Sequence, residues 1–189
     1  MMQWMPSFIG RLLRGHHAGM HKTLFHQHES AHLPTVIEVI SKDFTAGASL
    51  PVQCTADGQE TPPSLACRGV PPDARSLLIL IEDADSPTAN PFVHLVIYDL
   101  PAASGPLDLN LNPPSDGSAG KVGRNGMMRR RWFPPDPPPG HGPHRYLFQI
   151  YALSAAAPPD FTAQRGHLVR LVQTHGIAKG SLVGIYERQ

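Results

Sequence analysis

Cysteine is almost absent from this chain: Cys54 and Cys67 are the only two among 189 residues. Two thiols at that spacing make neither a Cys-x-x-Cys redox pair nor a zinc-ligand framework. Free, buried, reduced thiols are expected, with one disulfide as the alternative. Long apolar runs are also missing, and nothing approaches the roughly 20 apolar residues that cross a bilayer. The apolar residues Phe8, Ile9, Leu12 and Leu13 are interrupted by Arg11 and followed by Arg14. They do not form a signal peptide's continuous core, so a cytoplasmic location is expected. An excess of charge of either sign is lacking too: 16 Lys and Arg face 15 Asp and Glu. No global field draws in nucleic acid. No Gly-x-Ser-x-Gly elbow and no P-loop occurs, which argues against serine hydrolases and nucleotide hydrolases.

The length and the 41% hydrophobic content suit one domain with a substantial core. Eleven histidines are present, six of them (His16, His17, His21, His26, His28 and His32) within the first 32 residues. Residues 1–32 therefore read as an N-terminal extension, either a flexible polar tail or a short amphipathic helix around Gln3 to Arg14. From Thr35 the signals change to short branched and aromatic runs: 35–40, 77–81, 93–98 and 146–151. The two central runs are almost wholly apolar, as in strands covered on both faces. No helical crossover separates them, so a mainly β, antiparallel architecture is predicted. One helix is expected from Phe161 to Thr174, stopped at His175-Gly176. Residues 102–144 are rich in Gly, Pro, Ser and Asp, and prolines 134, 135, 137, 138 and 139 make that stretch a stiff wall suited to a pocket rim.

The chemistry concentrates in three places. Asp83-Ala84-Asp85-Ser86-Pro87 follows one apolar run, His94 lies inside the next, and Pro138-Pro139-Gly140-His141-Gly142-Pro143-His144-Arg145-Tyr146 leads into a third. A carboxylate, two imidazoles and a phenol can thus converge on a small pocket that suits an anion or a zwitterion. Neutral imidazole donates one N–H, imidazolium two, and a phenol one more. Asp83 is cast as the acceptor that orients a histidine or receives a ligand ammonium. Asp85 and Pro87 shape the turn. Arg145 points away from Tyr146 and forms a structural ion pair with Asp83 or Asp85. His144, at the rim, is expected to tolerate removal better than His94 inside its apolar strand. Asp83, His94 and His144 also permit a second reading, a two-His-one-carboxylate metal site of an enzyme.

The Asp-x-Asp-x-Pro turn, the strand with an internal His and the run ending Gly-His-Gly-Pro-His-Arg-Tyr resemble the phosphatidylethanolamine-binding protein family, in its bacterial Raf kinase inhibitor-like branch. Ser41 to Gly58, Pro63-Ser64-Leu65 with Gly69-Val70-Pro71, and Leu182-Val183-Gly184-Ile185-Tyr186 agree in the same order, over about Leu33 to Arg188. The resemblance implies a domain over residues 33–189 with antiparallel β-sheets and one or two peripheral helices. It also implies a non-enzymatic protein without cofactor that binds phosphate or a phospho-headgroup through Asp83, His94, Pro138, His144 and Tyr146. A kinase or protease partner is implied as well. The chain departs from the family pattern at Trp132-Phe133-Pro134-Pro135 and at Leu95, where relatives carry an aromatic residue, so Phe92 or Val93 must supply the lining. Met127 to Trp132 adds a basic patch beside the rim.

Overall fold

The structure, a computed structural model, describes residues 6–107, 109 and 120–188. Eight strands are assigned: β1 (Glu38–Ile40), β2 (Leu65–Arg68), β3 (Ser76–Asp83), β4 (Phe92–Pro101), β5 (Gly105–Leu107), β6 (Lys121–Val122), β7 (His144–Leu153) and β8 (Gly176–Tyr186). They form a three-stranded sheet, β1-β2-β5, and a five-stranded sheet, β6-β4-β3-β7-β8. Every ladder pairing is antiparallel, as the absence of crossovers predicts.

The central strand β3 is buried along its whole length, and its alternation shows why. Leu77, Ile79 and Ile81 join one core with Phe148, Ile150, Val39 and Cys67, between the two sheets. Leu78 and Leu80 join a second core on the opposite face with Tyr151, Leu153, Leu168 and Val172. Both faces therefore need a cover, and α3 (Arg165–His175) supplies part of the second. It starts later than Phe161 because Pro158 to Phe161 close a turn, the Phe161 amide donating to the Pro158 carbonyl at 2.9 Å, and Gln164 ahead of the helix is extended; Phe161 packs against Tyr98 instead. Cys54 and Cys67 are both free and buried.

The rest of the second face is covered by the N-terminal stretch read as either a flexible tail or a short amphipathic helix. A short helix, α1 (Ser7–Leu13), is followed by two 3-10 turns and α2 (His28–Ala31). Ala18, Thr23, Leu24, Ser30 and Leu33 are buried. Two buried polar groups hold this segment. Glu82 accepts the Leu24 amide and the Gln149 side chain, each at 2.8 Å, and pairs with Arg165. Lys179 donates to the carbonyls of Phe25 at 2.7 Å and Ser30 at 2.9 Å. Gln3 and Trp4 of the expected amphipathic helix lie outside the described residues. Phe8 and Leu12 of that helix point outward, while Gly10 is its buried residue. A Cβ at Gly10 would sit 2.0 Å from the Pro139 carbonyl oxygen, so the helix docks through its missing side chain.

Candidate functional site

The site lies where β3 ends and β4 begins. Asp83 closes β3, and its Oδ1 accepts the Asp85 amide at 2.8 Å, which tightens the turn. The β3–β4 register shifts between Ile81↔Leu95 and Glu82↔Val93, leaving His94 as the extra residue of a bulge. The bulge aims His94 at the proline-rich segment. Its Nδ1–H donates to the Phe133 carbonyl at 2.6 Å, and the Phe133 amide returns a bond to the His94 carbonyl at 3.0 Å. Trp132, Phe133, Phe92 and Tyr146 surround the imidazole with ring centroids 5.1–5.9 Å away.

Asp83, His94, Pro138 and His144 line one cavity of about 170 Å3, together with Ser86, Pro87, Thr88, Phe92, Met127, Phe133, Asp136 and Pro137. Phe92 supplies the aromatic lining that Leu95 cannot, and Phe133 adds a second ring. The Tyr146 hydroxyl lies beside His94, fully buried and not on the cavity surface. Among the described residues, three buried side-chain polar atoms have no hydrogen-bond partner: His94 Nε2 and Tyr146 Oη at the site, and Arg188 Nη2, which lies 2.8 Å from the Asp57 carboxylate as an ion pair. His144 is different. Its Nδ1 bonds Asp83 Oδ2 at 2.7 Å and its Nε2 bonds His141 Nδ1 at 2.6 Å, so both ring nitrogens are engaged within the protein.

The pair behind the pocket is Asp85 and Arg145. Asp85 accepts the Arg145 amide at 2.9 Å, Nε at 2.7 Å and Nη2 at 2.6 Å. Burial alone raises the Asp85 carboxyl, but these bonds and the guanidinium charge outweigh it and hold the group below the usual carboxylate range. Burial pushes His94 down despite the opposing pull of Asp83, so its imidazole is held neutral and Nε2 presents a lone pair. Burial likewise drives the Tyr146 phenol well up, which keeps it protonated and a donor.

Two site residues escape sequence reasoning. His141 turns inward because glycines flank it with φ of 77° and 114°, values that side chains rarely adopt. The Gly-His-Gly spelling is the signal that finds it. Asp136 sits in the cavity wall and bonds Arg188 at 2.5 Å, a contact from the far end of the chain that no local pattern reveals. Among the described residues, no group of three or more His, Cys, Asp or Glu is arranged to hold a metal ion. The donor set explains this: Asp83 Oδ2 and His144 Nδ1 are spent on each other, which leaves His94 Nε2 as the one free imidazole nitrogen of the trio.

Two antiparallel sheets with a small, mixed-polarity cavity at the end of the central strands define a β-rich fold with a pocket at one end. A family model described as phosphatidylethanolamine-binding protein matches residues 40–187. The chain belongs to that family. It is similar to a UPF0098 protein of Aquifex aeolicus, 31% identical over 156 residues, covering 81% of this chain and 90% of the relative. Among solved structures it resembles the phosphatidylethanolamine-binding protein homologue CT736 of Chlamydia trachomatis, with TM-score 0.72 and 26% identity over 82% of this chain and 99% of that one. E. coli YbcL gives TM-score 0.72 and 25% identity, covering 82% of this chain and all of the other. No helix among the described residues is long and apolar enough to cross a membrane.

Proposed function

We propose that this protein is a non-enzymatic binder of phosphate-type anions, best suited to a zwitterionic phospho-headgroup. The observation that carries the reading is the pair of buried, unpartnered polar atoms, His94 Nε2 and Tyr146 Oη. Buried polar groups are nearly always satisfied, so a pair left open beside a cavity marks where a ligand supplies the missing bonds. His94 donates to a phosphate oxygen once Nε2 is protonated, and the Tyr146 phenol, which does not reach the cavity surface, backs His94 as a protonated neighbour. Asp83 and Asp136 in the same wall repel a lone dianion but accept the ammonium end of a headgroup. His144 acts through Asp83 and does not touch the ligand, a revision of the direct role that the family resemblance implies. The apolar lining from Phe92, Phe133, Pro137 and Pro138 excludes water and strengthens each polar contact.

Glycerophosphoethanolamine tests the reading cleanly, because its phosphodiester does not titrate near neutral pH. A bound anion raises the depressed His94 pKa, so binding takes up a proton. Affinity is expected to rise as pH falls from about 8 toward 6 and to level off once His94 is charged in the free protein as well. His94→Ala should weaken binding by about 1–3 kcal/mol and remove the share of the pH dependence that His94 carries. Calorimetry on chelator-treated protein is the measurement. Flat affinity across pH, or binding that disappears with the chelator, defeats the proposal.

A further inference from the structure

The hydrogen bonds of His141 fix the number of protons in the site. His141 Nε2 faces two carbonyl oxygens, Leu13 at 2.8 Å and His16 at 3.2 Å. A carbonyl only accepts, so Nε2 must carry a hydrogen. His144 Nδ1 faces the Asp83 carboxylate at 2.7 Å and is a donor for the same reason. Between the two remaining nitrogens, at 2.6 Å, one more hydrogen is required, because two lone pairs at that distance repel. Two neutral imidazoles hold two protons, and this chain of bonds needs three. A carboxylate is the weaker base by about 2–3 pKa units, so the extra proton belongs to the imidazoles and not to Asp83.

We infer that His141 and His144 share one proton as a single monocation, and that the docked N-terminal segment, through the Leu13 and His16 carbonyls, keeps the pocket in that charged state. Release of the segment exposes Nε2 of His141 to water, which donates as readily as it accepts. His141 can then move its hydrogen to Nδ1, and the pair works with two protons. Docking of the segment and uptake of the third proton therefore favour each other. His144 borders the cavity, so on the proposed function this linkage extends to the ligand: an anion stabilises the monocation, and with it the docked segment.

The surroundings agree with this assignment. His17 stands 5.0 Å from His141 between ring centroids, and Arg14, Asp85, Arg145 and Glu187 line the space outside it. Asp85 is committed to Arg145, with His17 Nδ1 3.6 Å from the same carboxylate. That leaves Asp83 as the counter-ion in direct contact with the pair. Burial, followed by the charge on His144, pushes His141 down.

The test uses the full chain with 15N-labelled histidine. The amides of Ala18 and Gly19 donate to Ser86 at 2.9 Å and Ala84 at 2.7 Å, and their exchange reports docking of the segment. After correction for intrinsic rates, their protection should fall about tenfold per pH unit, the slope for one linked proton, as pH rises from the point where the released pair gives up its extra proton to the docked pair's own titration. Below it, imidazole nitrogen shifts should show both nitrogens of His144 and Nε2 of His141 protonated. His141→Gln, whose amide donates without an extra proton, should lose the slope. An unprotonated His141 Nε2 while the segment is protected, or equal slopes in the two proteins, overturns the inference; the wild-type shifts decide alone if the variant fails to fold. Saturating glycerophosphoethanolamine should increase the protection of both amides severalfold, and binding without any such increase removes the coupling to the pocket. Absence of binding counts against the proposed function while the proton count stands on the nitrogen shifts.

Discussion

His94 and His144 differ in what their nitrogens have left to give, and this reverses the expected cost of removing them. His94 has one nitrogen on Phe133 and one open, whereas His144, fully buried, has both engaged. His144→Ala strips the counter-ion from a carboxylate that is only 7% exposed. Breaking a buried pair in this way costs about 3–5 kcal/mol, against about 1–3 for His94→Ala, which orphans a single carbonyl. Urea denaturation of both variants checks the order, and a smaller loss for His144→Ala would contradict the pairing. Asp85 carries a second prediction at this scale. Its folded pKa is depressed, so its contribution to stability is present above its unfolded value of about 3.9 and is lost as pH falls through the folded value. Arg145 is nearly half exposed, and screening reduces what the pair is worth. In Arg145→Leu the buried carboxylate loses its partner and its pKa rises. The wild-type decline in stability on acidification from pH 5 to pH 3 should then flatten or invert, as denaturant midpoints taken at several pH values will show.

Among the elements, the N-terminal segment has the largest energetic consequence. It covers the sheet face formed by Leu78, Leu80, Tyr151 and Leu153, and it supplies backbone partners to Glu82 and Lys179. Deleting residues 1–30 removes both functions. The deletion should lower the urea midpoint and also the m-value, because less surface remains to be exposed on unfolding. An unchanged midpoint would return the segment to the status of a tail. This element also marks where the sequence stops being legible. The central strands announce themselves because branched apolar residues fill both faces of each. The N-terminal segment has few apolar anchors, Ala18, Leu24 and Leu33, at no regular period, and its polar anchors are main-chain groups bonded to residues more than 50 positions away. β8 escapes the strand pattern, since Gly176, Lys179, Gly180 and Ser181 have no strand signature; its pairing with β7 from His144↔Tyr186 to Leu153↔Gly176 supplies what its own composition lacks. Asp83, His94 and Pro138 could be placed at the site from local pattern. The exchange of bonds among Asp83, His144 and His141 could not, because two segments 61 residues apart must meet before it exists.

Across the whole molecule, a net charge of +1 conceals a strong separation. Residues 6–28 and 120–135 contain eight of the sixteen Lys and Arg and none of the fifteen Asp and Glu. The fold brings both stretches to the proline wall of the cavity: α1 rests on Pro139 and Gly140, and Met127 shares the cavity with Pro138. The side chains of Arg11, Arg14 and Arg129 to Arg131 are exposed around it. A positive rim around a pocket that itself holds two carboxylates has a defined kinetic meaning. It draws an anion in from solution while leaving most of the equilibrium affinity to the buried groups. Changing Arg129, Arg130 and Arg131 together to Gln should therefore slow association of a phosphate-type ligand and weaken its salt dependence, with a smaller effect on dissociation. Stopped-flow measurement between about 0.01 and 0.15 M salt spans Debye lengths of roughly 30 to 8 Å and resolves the two rates. The same triple change should reduce retention of the wild-type protein's near-neutral charge on a cation exchanger at pH 7, a comparison that needs no ligand. Equal association rates at every salt concentration would show that the rim arginines are a solvated surface feature with no part in capture.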